Sequence, residues 1–143
     1  MLRLLMVVCL ILTAGTGMAA VSPAQAKYNE LVKRALAGDR TVDLAELRHM
    51  AGEAGIESDP DARGELMKAA GHKDFAAMLS TAAIVLKSNF ADLDAHYFAK
   101  IAAKQLGNEA DADFHHWAEM GLLKALRATG DGRSAETDRK SVV

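Results

Sequence analysis

Apolar residues recur along the chain at the three- and four-residue intervals of an α-helix, and no segment shows the strict alternation of a half-buried strand. Residues that typically start or stop helices separate these apolar segments. The pattern predicts six helices, at about residues 24–37, 44–54, 60–71, 73–88, 92–106 and 109–129. The sequence is therefore expected to form an all-α domain.

Short connections between the predicted helices indicate that neighbouring helices pack antiparallel. A Gly-x-x-x-x-Ala pattern that starts at Gly71 recurs at Gly107, a spacing close to that of tetratricopeptide helix pairs. Alanine is common enough in this chain to produce such a match by chance. Two architectures stay open: antiparallel helix pairs stacked as a tetratricopeptide-like solenoid, or a compact helical bundle.

The first 26 residues have the three parts of a secretory signal peptide. Arg3 supplies a positive charge, residues 4–12 are continuously apolar, and Ala24-Gln25-Ala26 has the small residues that a signal peptidase requires. Gly17-Met18-Ala19 is a weaker alternative site. The competing interpretation is an uncleaved membrane anchor, but the strongly apolar part is too short to span a bilayer. We expect a periplasmic or secreted protein, with membrane contact only through an uncleaved leader.

This cleavage divides the chain into a signal peptide at residues 1–26, a helical domain at 27–130, and a turn with a charged, flexible tail at 131–143. The single cysteine, Cys9, lies in the apolar part of the leader and leaves with it. Disulfides, thiolate metal sites and cysteine nucleophiles are therefore excluded from the mature domain.

Charge and motifs exclude several classes of function. The chain has 17 Lys and Arg residues against 19 Asp and Glu residues, and no dense basic segment, so nucleic acid is not a predicted partner. The sequence lacks a Gly-x-Ser-x-Gly elbow, a phosphate-binding loop, a His-Glu-x-x-His motif and a dinucleotide fingerprint. It predicts no cofactor and no enzyme of a known motif class.

Two Asp/His pairs form a candidate metal site. Asp92 and His96 are four residues apart, as are Asp111 and His115, so each pair lies on one face of a helix. Antiparallel packing of the fifth and sixth helices can bring the pairs together, and mixed carboxylate–imidazole sets bind zinc and similar ions. The alternative is structural, because carboxylates are favoured in the first turn of a helix by its dipole.

Three groups of residues are similar to a known family. They are Gly38-Asp39 with Val42-Asp43 and Leu47-Arg48; Asn89 to His96 with Leu106-Gly107-Asn108; and Thr129 to Thr137. With these residues the chain resembles a family of uncharacterised exported bacterial proteins, the domain of unknown function 4919. The resemblance spans about Tyr28 to Thr137 and implies no established activity. Asp138-Arg139-Lys140 stand where the family pattern implies apolar, strand-like residues, which indicates a short or truncated member.

Two functions stay open at this point. The favoured one is a non-enzymatic interaction module that binds another protein of the cell envelope, because helix arrays present extended grooves and no catalytic template matches. The alternative is a metal-dependent, hydrolase-type enzyme that uses the two Asp/His pairs. A third option is that the domain acts only within a larger assembly or with a missing C-terminal part. Aromatic residues at helical spacing can line a groove, although this spacing favours a core position: Tyr28, Tyr97, Phe98 and Trp117.

Overall fold

The computed structural model describes residues 20–129, and all regular structure in this range is helical. Six helices follow one another: α1 (Pro23–Leu36), α2 (Leu44–Glu53), α3 (Pro60–His72), α4 (Phe75–Ser88), α5 (Leu93–Gln105) and α6 (Glu109–Thr129). The prediction of an all-α chain is confirmed. No helix among the described residues is long and apolar enough to cross a membrane. Residues 1–19 of the predicted signal peptide and the predicted tail at 131–143 lie outside the described residues.

Side chains cap the start of every helix. Ser22 accepts a hydrogen bond from the backbone N–H of Gln25 at the start of α1, and Asn108 accepts one from Asp111 at the start of α6. Aspartates cap the other four helices: Asp43, Asp59, Asp74 and Asp92. Each cap satisfies a backbone donor that has no partner inside its own helix, which explains why the sequence pattern located the helix starts.

The connection from α3 to α4 differs from its prediction. Gly71 was expected to end α3, but it lies inside the helix, and Lys73 adopts the left-handed conformation with φ 55°. The backbone N–H of Asp74 donates to the carbonyl of Ala69, which closes the turn. Because Asp74 must also cap α4, the left-handed residue is fixed at the position immediately before it.

Helix packing follows the order α1–α2–α6–α5–α4–α3. Sequence neighbours pack in pairs, and α2 also contacts the last helix. A solenoid has contacts between adjacent repeats only. The contact of α2 with α6 therefore makes the described part of the chain a compact bundle, and tetratricopeptide-like stacking is not shown.

Gly121 permits the close approach of α2 and α6. A methyl group at this position would overlap the side chain of Leu44, whose Cβ and Cγ would each lie 3.2 Å away. The absence of a side chain on α6 thus makes room for a buried leucine of α2.

Most of the buried apolar residues within 20–129 belong to two clusters. The first joins α1, α2 and α6 through Leu31, Leu47 and Leu122, with Phe90 at its edge. The second joins α3, α4 and α5 and is rich in alanine, which lets these helices pack closely. Helix α1 belongs to the first cluster and α4 to the second, and a groove lies between them.

Candidate functional site: a groove between α1 and α4

The groove has a volume of about 730 Å³ and is bounded by α1, α4, α6 and the turn at Phe90. This volume lies within the range of roughly 300–1,000 Å³ that is usual for binding sites. Most of the lining side chains are apolar: Tyr28, Val32, Leu36, Leu79, Ala83, Leu86, Phe90 and Phe114. The polar ones are Asn29, Lys33, Lys87, Asp111 and His115.

Helix α1 supplies one apolar wall of the groove. Tyr28, Val32 and Leu36 line it at four-residue intervals. Tyr28 is buried and belongs to the core, Val32 is half-buried, and Leu36 is 65% exposed although it is a large aliphatic residue. The α1 wall is therefore continuous with the core at Tyr28 and opens to solvent at Leu36.

Helix α4 is nearly uncharged. Lys87 is its single charged residue, although the helix has 14 residues. Its core face is formed by Met78, Ala82 and Val85, whereas Ala83, which lines the groove, and Ile84 are exposed. The solvent face of a surface helix normally carries charged and polar side chains. The exposed face of α4 therefore carries less charge than is usual for a surface helix.

Hydrogen bonds fix the turn at Phe90 from both sides. Its backbone N–H donates to the hydroxyl of Tyr28 at 2.7 Å, and its carbonyl lies 2.9 Å from Nε2 of His96. Burial raises the pKa of Tyr28, so the hydroxyl keeps its proton at neutral pH. Helices α1 and α5 are thus connected through the backbone of a single residue, Phe90, beside the groove.

A pair of histidines lies next to this turn. A carbonyl only accepts hydrogen bonds, so Nε2 of neutral His96 carries the proton and Nδ1 has the free lone pair. The Nδ1 atom of His115 lies 3.0 Å from Nδ1 of His96 and must donate to it. Within residues 20–129, Nε2 of His115 has no hydrogen-bond partner, and no buried side-chain nitrogen is left unsatisfied. This atom is therefore accessible to solvent at the groove.

Both histidines are neutral at neutral pH. Burial and, to a smaller extent, the neighbouring His115 lower the pKa of His96 to about 4, against the opposing effects of Phe90 and Asp92. Burial also lowers the pKa of His115, opposed by the charge of Asp111. Desolvation disfavours the imidazolium form at both positions.

Of the four residues in the candidate metal site, the structure brings His96 and His115 together but not the two aspartates. The carboxylate of Asp92 is buried, caps α5, and accepts hydrogen bonds from Ser58 and Arg63. Asp111 lines the groove and accepts from the side chain of Asn108 at the start of α6. Among residues 20–129 no group of three or more His, Cys, Asp or Glu side chains is placed to hold a metal ion.

The sequence patterns identified few of the residues that line the groove. Among the aromatic residues considered from the sequence, Tyr28 lines it, whereas Trp117 packs under the guanidinium of Arg40, which lies 4.7 Å from the ring centre. Lys33, Lys87 and Phe90 were not singled out. The near absence of charge in α4 was the available signal, because the solvent face of a surface helix normally carries charged and polar residues.

Comparison with protein-family models, with curated proteins and with solved structures gave no match. The resemblance to the domain of unknown function 4919 stays a prediction from the sequence.

Proposed function

We propose that this protein is a non-enzymatic interaction module of the cell envelope, and that its groove binds the apolar face of an amphipathic helix from a partner protein. The observation that carries the proposal is the pair of facing walls, α1 and α4, which both expose apolar side chains to the groove. Amphipathic helices bind in hydrophobic grooves through apolar residues at intervals of three and four. The signal-peptide pattern supports a location in the periplasm or outside the cell.

The shape of the groove favours a peptide segment over a small molecule. A small ligand usually has most of its surface buried in an enclosed pocket. Here Leu36, Asn29 and Ala83 are exposed on the walls, so the groove is open along its length. The α1 wall runs from Tyr28 to Leu36, about 12 Å or two helical turns at 1.5 Å per residue. This length fits two or three turns of a partner helix.

The enzymatic alternative has less support. A metal-dependent hydrolase needs convergent ligands, and the carboxylates of Asp92 and Asp111 bind other groups instead. His115 faces an apolar groove without an adjacent nucleophile among its lining residues. An oriented imidazole alone is a weaker basis for a reaction than the two apolar walls are for binding.

A defined peptide tests the proposal. The probe is a synthetic amphipathic peptide of about 15 residues, a length at which an isolated helix becomes marginally stable. Its binding to the protein is measured by fluorescence anisotropy. We expect Leu36→Gln to weaken binding by about tenfold, because burial of a leucine contributes about 1.5–3 kcal/mol.

Leu106→Gln is the matched control. Leu106 is also an exposed leucine at the C-terminal end of a helix, α5, but it does not line the groove. This variant should bind the peptide like the unmodified protein. Equal loss of binding in both variants, or no binding to the unmodified protein, would rule out the groove as a peptide site.

A further inference from the structure

The charged groups around the groove are unevenly distributed. Lys33 stands on the α1 wall and Lys87 on the α4 wall, and within residues 20–129 neither ammonium takes part in an ion pair. Asp111 is the single acidic residue of the lining, and its carboxylate accepts a hydrogen bond from Asn108. An overall acidic chain thus presents a cationic rim at its most apolar groove.

His115 adds a polar atom between these walls. Its Nδ1–H is held by His96, which fixes the ring and leaves Nε2 as the atom that exchanges a proton at the groove. Protonation at Nε2 keeps the hydrogen bond to His96 intact, because Nδ1 of His115 still donates. His96 cannot take the proton in the same way, since both of its nitrogens are already bound.

We propose that the helix that binds in the groove is acidic: one of its carboxylates accepts a hydrogen bond from the protonated Nε2 of His115, and others flank its apolar face opposite Lys33 and Lys87. This inference rests on the proposed function and adds the charge of the partner to it. Carboxylates opposite Lys33 and Lys87 gain charge-assisted contacts on both walls. Basic or uncharged helices of the same apolar pattern lack these contacts, so the rim selects among helices that the apolar walls alone would accept.

The proposal predicts tighter binding at lower pH. The groups around His115 are His96 on α5, Asp111 on its own helix, Lys33 on α1 and Lys87 on α4. Burial lowers the pKa of His115, the charge of Asp111 raises it, and a bound carboxylate raises it further. A fall from about pH 7.5 to about pH 5.5 therefore increases the protonated fraction of His115, while a glutamate with an ordinary pKa near 4.3 stays ionised.

Three forms of the synthetic peptide test the inference, with glutamate, glutamine or lysine beside the same apolar stripe. We expect the glutamate peptide to bind about tenfold more tightly than the glutamine peptide at low salt, and the lysine peptide most weakly. High salt should reduce this difference, because exposed charges are screened. The combined variant Lys33→Glu with Lys87→Glu should reverse the order of the charged peptides, whereas Lys68→Glu with Lys124→Glu, two exposed lysines outside the lining, should leave it unchanged.

His115→Asn isolates the role of the imidazole. The asparagine side-chain amide donates a hydrogen bond as Nδ1 of histidine does, but it does not titrate. This variant should lose the increase in affinity for the glutamate peptide at lower pH, whatever its affinity for the glutamine peptide. His116→Asn, at the adjacent exposed histidine, should keep that increase.

The outcomes separate the two proposals. Equal affinity for the three peptides, with loss of binding in Leu36→Gln, would overturn the acidic partner and leave the interaction module standing. No binding of any peptide would overturn both. A dimer of the protein alone that Leu36→Gln dissociates would also overturn both, because a second copy would then fill the groove.

Discussion

The Nδ1 atoms of His96 and His115 lie 3.0 Å apart, so one ring must donate a hydrogen bond to the other. The carbonyl of Phe90 determines which ring donates, because it needs a donor and receives it from Nε2 of His96. The buried imidazole is therefore the acceptor, and the partly exposed imidazole is the one that presents a free nitrogen to the groove.

The burial of His96 makes the free energy of unfolding depend on pH. In the unfolded chain His96 should titrate near its ordinary value of 6.5, whereas the folded protein lowers its pKa to about 4. Because the unfolded state takes up the proton first, the free energy of unfolding should fall by about 2 kcal/mol between about pH 7.5 and about pH 5. The loss levels off below about pH 4, where both states are protonated.

Urea unfolding at a series of pH values measures this dependence. The control is the combined variant His49→Gln, His72→Gln and His116→Gln, which removes the exposed histidines and should keep the same slope. A free energy of unfolding that does not change over this pH range would contradict the assignment of a neutral, buried His96.

The contact of Gly121 with Leu44 predicts opposite effects for the same substitution in two helices. Gly121→Ala should lower the free energy of unfolding by about 1–3 kcal/mol, because the added methyl group overlaps a buried leucine. Gly64→Ala, inside α3 with open space around its Cα, should raise it by up to about 1 kcal/mol through helix propensity. If chemical denaturation shows that both variants change the free energy of unfolding in the same direction, α2 and α6 are not in close contact.

Lys73 predicts a stabilising glycine substitution. A left-handed conformation is unfavourable by about 1–2 kcal/mol for a residue with a Cβ, so Lys73→Gly should raise the midpoint of thermal unfolding. Lys68→Gly, inside the same helix, should lower it, because glycine destabilises a helix interior by about 1 kcal/mol. If both variants melt below the unmodified protein, the left-handed turn before Asp74 is not present in solution.

The two carboxylates that contact Arg63 should contribute very differently to the free energy of unfolding. The side chain of Asp92 is 1% exposed and that of Asp94 is 57% exposed. Removal of the cation by Arg63→Met leaves a buried charge with fewer partners and should lower the free energy of unfolding by about 2–3 kcal/mol. Asp94→Ala should change it by less than about 1 kcal/mol, since exposed ion pairs contribute little. If urea unfolding shows that Arg63→Met and Asp94→Ala lower the free energy of unfolding equally, Asp92 is not buried.

The start of α1 bears on where the leader is removed. Ser22 caps this helix by accepting a hydrogen bond from Gln25 at 3.1 Å, and its carbonyl accepts one from Ala26 at 2.9 Å. Cleavage after Ala26 would delete this cap and the first turn, which immediately precede the buried Tyr28. Cleavage after Ala19 would leave α1 complete.

We therefore predict that the signal peptide expected from the sequence is cleaved at the weaker site, after Ala19 and not after Ala26, so that the mature chain begins at Ala20. The intact mass of protein recovered from the periplasm identifies the first residue. Ala19→Glu should block processing, because a signal peptidase requires a small residue before the cleaved bond, and Ala26→Glu should not. A mature chain that begins at Lys27 would contradict this prediction.

The helices were predictable because their signals are local. Aspartate caps, Pro60 at the start of α3 and Gly38, Gly55 and Gly107 in left-handed turns place most helix ends without knowledge of the fold. Lys73 is the exception, since its conformation depends on the cap of the following helix and not on its own preference.

The site was less predictable because it depends on contacts between distant segments. Spacing placed Asp92 and His96 on one face of α5, but it could not show that Arg63 of α3 would attract the carboxylate away from the imidazoles. The pairing of His96 with His115 agrees with antiparallel packing of α5 and α6. The groove required the packing order of all six helices, which no short pattern specifies.

The contact between α2 and α6 joins segments from opposite ends of the domain, and Tyr28 and Phe90 are likewise 62 residues apart. Such long-range contacts give this domain a higher contact order than a bundle in which only helices adjacent in sequence touch. A higher contact order is associated with slower folding. During synthesis the N-terminal end emerges first, so the α1–α2 hairpin keeps an unpaired apolar face until α6 follows. We therefore expect α6 to complete the core of the described domain, and a chain that ends before α6 to stay incompletely folded.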